Sequence, residues 1–272
     1  MKNERIHSSW DKIEPGDAAR RLMLENILAR TRPGENRKVT SMKTVFNRKR
    51  IAALAACACL VAAAAVAIPL INGGGTADSG FPLARSDDGV KASYVDDLPD
   101  IPKAANSLIA LTEEELFSFF NPDIFSGTVE RIRNIKLDFG DGSDHYRAIA
   151  KISVEKVWRG DLAAGDSVFV LLPCPIDDGG LRVSDTEVIA NLREGMRGIF
   201  MPMKYDETSY WQQSGVTLSL LDVAQYGLAD GLRFAFLETD GGLVFDRDAY
   251  ASVGGADSLG EIGLYIEAML AK

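Results

Sequence analysis

Cysteine and histidine are almost missing from this chain. It has three cysteines, Cys57, Cys59 and Cys174, and two histidines, His7 and His145. A structural zinc site needs about four clustered Cys or His ligands, and no Cys-x-x-Cys pair occurs, so that class is excluded. Cys174 stands alone in the C-terminal part and has no intrachain disulfide partner there. Catalytic signatures are also missing: there is no G-x-S-x-G, no P-loop, no G-x-G-x-x-G and no His-Glu-x-x-His. No enzyme activity and no cofactor are expected.

The second absence is of charge. Ile51 to Ile71 is a run of 21 residues without a charged side chain, ten of them Ala. As a helix it covers roughly 30 Å, the thickness of a bilayer's hydrocarbon core. Its eight larger aliphatic residues favour insertion by roughly 2–5 kcal/mol in total. A cleaved signal peptide would begin near residue 1, not after some fifty hydrophilic residues. "LAAC" (Leu54–Cys57) resembles a lipoprotein lipobox, but only Ile51, Ala52 and Ala53 separate it from the basic cluster. A buried soluble helix is the remaining rival, and the basic flank favours the membrane. One transmembrane helix is expected over 49–72. Lys43, Arg48, Lys49 and Arg50 precede it, which puts the N-terminus in the cytoplasm and the C-terminal part outside.

Charge is split between the two sides. Residues 1–50 carry 13 Lys/Arg against 6 Asp/Glu, and the remainder carries 17 against 33. The basic tail suits anionic lipid or an acidic partner. The acidic remainder argues against direct nucleic-acid binding.

Four segments are expected: a cytoplasmic helical tail (1–48), the span (49–72), an extended linker rich in Gly, Asp, Ser and Pro (73–105) and a β-rich domain (106–272). In the tail, Met23 with Ile27 and Leu24 with Leu28 form i, i+4 pairs on an apolar stripe. So short a helix is marginal alone in water, and its stripe calls for a partner: a membrane surface, another protein or a second copy. Thr112 and Glu115 predict a capping box. "IFSGTVERIRNIKLDF", "GDGSD" and "HYRAIAKISVEKVWRG" predict a long hairpin, the last with Tyr146, Ala148, Ala150, Ile152, Val154 and Lys156 on one face. "GDSVFVLLP" and "GMRGIFMPMKY" read as further strands. "LRFAFLETDGGLVFD" reads as a second hairpin, and "DSLGEIGLYIEAMLAK" as a closing helix capped by Asp257 or Ser258. The fold class expected is mainly β: a small antiparallel barrel or curled sheet with flanking helices, plus the span and the helical tail.

Individual residues carry weaker signals. His145 reads as a surface turn residue. Asp138, Asp141 and Asp144 lack calcium-loop spacing and read as a turn. Cys174 reads as a partly buried, inert thiol. Trp158 and Trp211 are candidate ligand platforms, although Trp158, ending an alternating strand, reads first as core.

Two stretches resemble known families. "WDKIEPGDAARRLMLENILAR", before a basic connector and an Ala-rich span, resembles the cytoplasmic segment of bacterial membrane-bound anti-sigma-factor-like regulators. The resemblance covers about 70 residues, and the His/Cys zinc motif of one large branch is missing. It implies that Trp10, Ile13, Leu22, Met23, Ile27 and Leu28 contact a sigma factor, that the outer domain senses envelope conditions, and that a membrane protease is a further partner. "FSGTVERIRN…YRAIAKISVEKVWRGDLAAGDSVFVLLP" resembles small extracytoplasmic OB-like or netrin-like barrels, over about 50 residues, and implies a fold only. The sequence therefore leaves two functional readings: a sigma-factor regulator, or a membrane-tethered extracytoplasmic binding or assembly module.

Overall fold

The computed structural model describes residues 80–99, 108–177 and 183–272. Two strands dominate it, β2 (Ile124–Asp138) and β3 (Asp144–Arg159), following β1 (Lys91–Val95) and a short helix α1 (Glu113–Ser118). The hairpin between β2 and β3 is the one the alternation predicts, and its turn is built by aspartates. Asp138 Oδ1 accepts the Gly140 N–H at 2.8 Å, and Asp141 Oδ1 accepts the Ser143 N–H at 2.9 Å. Gly140 and Gly142 have φ of 73° and 81°, which favours residues without a Cβ.

Further strands are β4 (Ser167–Leu172), β5 (Arg197–Phe200), β6 (Met203–Lys204), β7 (Tyr210–Gln213), β8 (Val216–Ser219), β9 (Tyr226–Gly227), β10 (Ala235–Thr239) and β11 (Gly242–Val244). A closing helix, α2 (Leu259–Leu270), follows. The main sheet runs β11-β10-β5-β2-β3-β4-β9-β6, with β1 beside the outer half of β2. Its curl follows from three register shifts between β2 and β3, since a bulge bends a strand and increases its twist. Among the described residues the sheet is curled but does not close: β11 and β6 are its two ends. Of the two forms expected, barrel or curled sheet, the curled sheet is the one seen. Nor is it wholly antiparallel, because β4 and β9 pair in parallel. β7 and β8 form a separate hairpin whose turn, Ser214-Gly215, has positive φ at both residues, as a two-residue hairpin turn of primed type requires.

The long strands are buried on both faces, and one extra residue explains how. Val129 lies opposite Ile152 and Arg131 opposite Lys151, so Glu130 is unpaired and the alternation inverts. Before it, Phe125 and Val129 face the main core; after it, Ile135 and Leu137 face a second core on the other side. A similar shift at Ser126/Gly127 turns Lys156 outward, where strict alternation had placed it with Ala148 to Val154. Along β4, Val168, Val170 and Leu172 enter the main core while Leu171 enters the second.

Both α1 and α2 begin at the caps the sequence signals. Thr112 and Glu115 cap α1 reciprocally, and Ser258 with Glu261 does the same for α2, which settles the choice between Asp257 and Ser258. Each helix buries a few residues on the main core, Leu116 and Phe117 from α1 and Ile262 and Ile266 from α2. Trp158 lies against Gly263 of α2 and donates from Nε1 to Glu267.

The linker expected over 73–105 needs correction over residues 80–95. Phe81, Val90, Ala92 and Tyr94 are buried in the second core, and β1 pairs with β2, Ala92 opposite Leu137 and Tyr94 opposite Ile135. The Gly, Asp and Ser of this stretch supply turns and anchors, not an open chain. Buried Asp222 accepts from the Arg85 N–H at 2.8 Å and the Ser86 hydroxyl at 2.7 Å. Asp87 exchanges two hydrogen bonds with Thr217, its N–H donating to the carbonyl at 2.9 Å and its carboxylate accepting the N–H at 2.8 Å. No helix among the described residues is long and apolar enough to cross a membrane. The expected span 49–72 and the helical tail 1–48 lie outside the described residues.

Candidate functional site

All six residues expected to touch a partner, Trp10, Ile13, Leu22, Met23, Ile27 and Leu28, lie outside the described residues. Chemistry within the folded part gathers elsewhere, where the outer half of β3 and the end of β4 meet the β7–β8 hairpin. The same face of β3 that sends Ile149 into the second core carries His145 and Arg147, four and two residues earlier. Across from them, β7 brings Trp211. The Arg147 guanidinium carbon lies 4.9 Å from the centre of the Trp211 ring, and His145 and Phe139 meet the same indole at 5.2 and 5.1 Å.

A cavity of about 340 Å³ opens beside this cluster, lined by Arg147, Leu171, Tyr205, Trp211, Leu220 and Leu228 among others. Its size is at the small end of ordinary ligand sites. The Tyr205 ring rests directly on Gly227, where any Cβ would overlap its hydroxyl and ring carbons. Glycine in β9 is therefore what lets that phenol form a wall. Burial raises the Tyr205 pKa above its ordinary value, so the phenol stays neutral.

Arg147 is the charged member. Its Nη1 donates to the Tyr146 carbonyl at 2.8 Å, and no carboxylate among the described residues lies within ion-pair distance of it. Burial draws its pKa below the usual guanidinium value, with Cys174 and Tyr205 as weaker influences the other way. An arginine keeps its charge even so. Cys174, expected to be partly buried, is fully buried, and burial raises its thiol pKa, which opposes thiolate formation.

His145 is the residue the sequence places wrongly. Its Nε2 is buried and has no hydrogen-bond partner, and its ring packs edge-on against Phe139 and Trp211. The β2–β3 turn does not leave it at the surface because the β7–β8 hairpin folds back over the turn. Asp141 accepts from the Ser214 hydroxyl at 2.8 Å and from Gln213 at 3.1 Å, and these bonds, with the Ser143 N–H, pull its pKa down to about 2. Asp138 and Asp141 thus serve the turn, and no group of three or more His, Cys, Asp or Glu among the described residues is placed to hold a metal ion.

A second hollow, about 500 Å³, lies beside β1 and carries Asp87, Asp88, Lys91, Lys136 and Asp138. Its charges have both signs and present no single chemistry. The Arg147 cavity combines a charged fork, an indole face and an aliphatic wall, which is equipment for recognising a small molecule. Trp211 was among the residues whose type suggested a ligand platform; Arg147 was not. Its signal in the sequence is a basic residue between His145 and Ile149 on the second face of a strand whose first face is apolar from Ala148 to Val154. Comparison with family models, with curated proteins and with solved structures finds no match to this chain.

Proposed function

We propose that this chain is a single-pass membrane-anchored regulator. Its basic tail sequesters a sigma factor in the cytoplasm, and its β-rich domain senses envelope conditions outside. The observation that carries the reading is the order of parts along one chain. A basic tail with the Met23/Ile27 stripe precedes an uncharged 21-residue apolar run, and a β domain folded from Gly80 follows. Such a domain, with a cavity beside its second core, supplies what a sensor needs on the far side of a membrane: a stable body and a place for a signal to bind. The apolar stripe covers a surface the sigma factor uses for RNA polymerase, and a change outside, ending in cleavage by a membrane protease, releases it.

A second reading is favoured by the Arg147 cavity itself. It makes the chain a membrane-tethered extracytoplasmic binding module whose tail touches only anionic lipid. One experiment separates the two. Full chain in detergent is used to capture sigma factors from the host, beside the Met23→Asp/Ile27→Asp variant. Capture by the parent and its loss in the variant supports the regulator. Binding of the tail to anionic vesicles only, with transcription unchanged in the variant, overturns it and leaves the binding module.

A further inference from the structure

We infer that the Arg147 cavity binds a small carboxylate-bearing molecule with a flat apolar body. This rests on reading the β-rich domain as a ligand-binding module, and it adds the ligand's chemistry.

Three observations converge on that class. First, the sign of charge: Arg147 is the one charged residue lining the cavity, and no carboxylate among the described residues neutralises it. A half-buried guanidinium with one acceptor, the Tyr146 carbonyl, has donors left over. An arginine fork matches a carboxylate with two parallel N–H···O bonds. Second, the amount of charge: a single cationic group against an otherwise neutral wall suits a monoanion, not a multiply charged phosphate ester. Third, the wall: Leu171, Leu220, Leu228 and the faces of Trp211 and Tyr205 offer apolar surface with one indole already stacked on the guanidinium. A flat ring beside Trp211 buries its faces while its carboxylate reaches Arg147. The carboxylate oxygens only accept, so the fork gains partners without leaving a donor on the ligand unpaired.

The test is calorimetric titration of the full chain in detergent micelles with three probes: benzoate, benzamide and acetate. Benzoate is expected to bind saturably. Benzamide, which keeps the ring and loses the charge, binds at least about tenfold more weakly. Acetate, which keeps the charge and loses the ring, does so too. Arg147→Gln abolishes saturable benzoate binding, Arg147→Lys retains part of it, and Arg197→Gln, on the exposed surface, leaves it unchanged. Because Arg147 is partly buried, Gln212→Trp provides a second route: Gln212 is exposed at the cavity, and a bulky side chain there blocks benzoate without touching the charge. Equal binding of benzoate and benzamide overturns the inference. So does benzoate binding that survives both Arg147→Gln and Gln212→Trp, or no saturable benzoate binding by a parent protein that melts cooperatively. Peptides with a free C-terminus that displace benzoate, and lose this on amidation, also overturn it by reassigning the site to chain ends. None of these outcomes bears on sigma-factor capture, which depends on the tail, so the ligand class and the regulator reading fail separately.

Discussion

Replacing Asp222 by Ala tests whether the stretch from Gly80 to Val95 is part of the domain. Asp222 is buried and its carboxylate holds the Arg85 N–H, the Arg85 guanidinium at 3.3 Å and the Ser86 hydroxyl. Ser86 in turn accepts the Ser219 N–H at 3.0 Å, so one carboxylate ties the entering chain to β8. A hydrogen bond to a charged acceptor contributes about 1.5–3 kcal/mol. The Arg85 side chain is 38% exposed, and its share is discounted to about 0–1 kcal/mol. Two partly buried bonds that act as a unit then predict a loss of about 2–4 kcal/mol. For a domain of this size that lowers Tm by roughly 5–15 °C. The loss is local first: amide exchange in residues 85–95 accelerates before exchange in residues 148–154, where β3 is central. Asp222→Asn keeps one acceptor and falls between parent and Ala. Exchange followed by mass spectrometry on the full chain, with thermal melting, measures both. A Tm change under 2 °C, or unaltered protection in 85–95, refutes the reasoning and returns the stretch to a loosely attached linker.

Other perturbations follow from single contacts. Tyr250→Phe removes the hydroxyl that donates to the buried Arg233 carbonyl at 2.7 Å, and urea unfolding is expected to show a loss of about 1–3 kcal/mol with an unchanged m-value. Gly263→Ala gains about 1 kcal/mol of helix propensity but sets a Cβ 2.9 Å from the Trp158 ring, an overpacking that costs about 1–3 kcal/mol, so the net effect is a loss of about 0–2 kcal/mol with a shift in tryptophan emission; a net gain contradicts the packing. Asp141 has a lowered pKa because Ser214, Gln213 and Ser143 donate to it, so its tie to the β7–β8 turn is complete above the ordinary carboxylate pKa and is lost as pH falls through about 2. The Ser143 amide NMR shift is expected to titrate with that low midpoint and to go flat in Asp141→Asn; a midpoint near the ordinary value removes the assignment.

Much of the fold was legible because local rules and tertiary packing agree. The alternation of "HYRAIAKISV", the turn glycines of "GDGSD", the "TDGG" tip between β10 and β11 and the two capping boxes all stand where the sequence puts them. What escaped depends on geometry beyond the local window. Glu130 looks like any strand residue, yet as the unpaired one it decides which face Ile135 and Leu137 occupy. The composition of 80–95 suggests an open linker, but four apolar side chains find a core supplied by residues far along the chain. The candidate cavity joins Arg147 to Trp211, residues on separate hairpins, and nothing in either neighbourhood announces the other. The tail's apolar stripe remains a reading of sequence alone.

The strands with two buried faces carry a mechanical consequence. Leu171 is a wall of the cavity, while its bonded neighbours Val170 and Leu172 are locked in the main core. β4 is fastened along its length to β3, whose Ala148 and Ala150 flank Ile149 in the same manner. Such a strand behaves as a beam clamped from above and below, with no slack between its odd and even residues. A push on Leu171 from the cavity is borne at once by Val170 and Leu172, so the two cores stiffen or yield as one body.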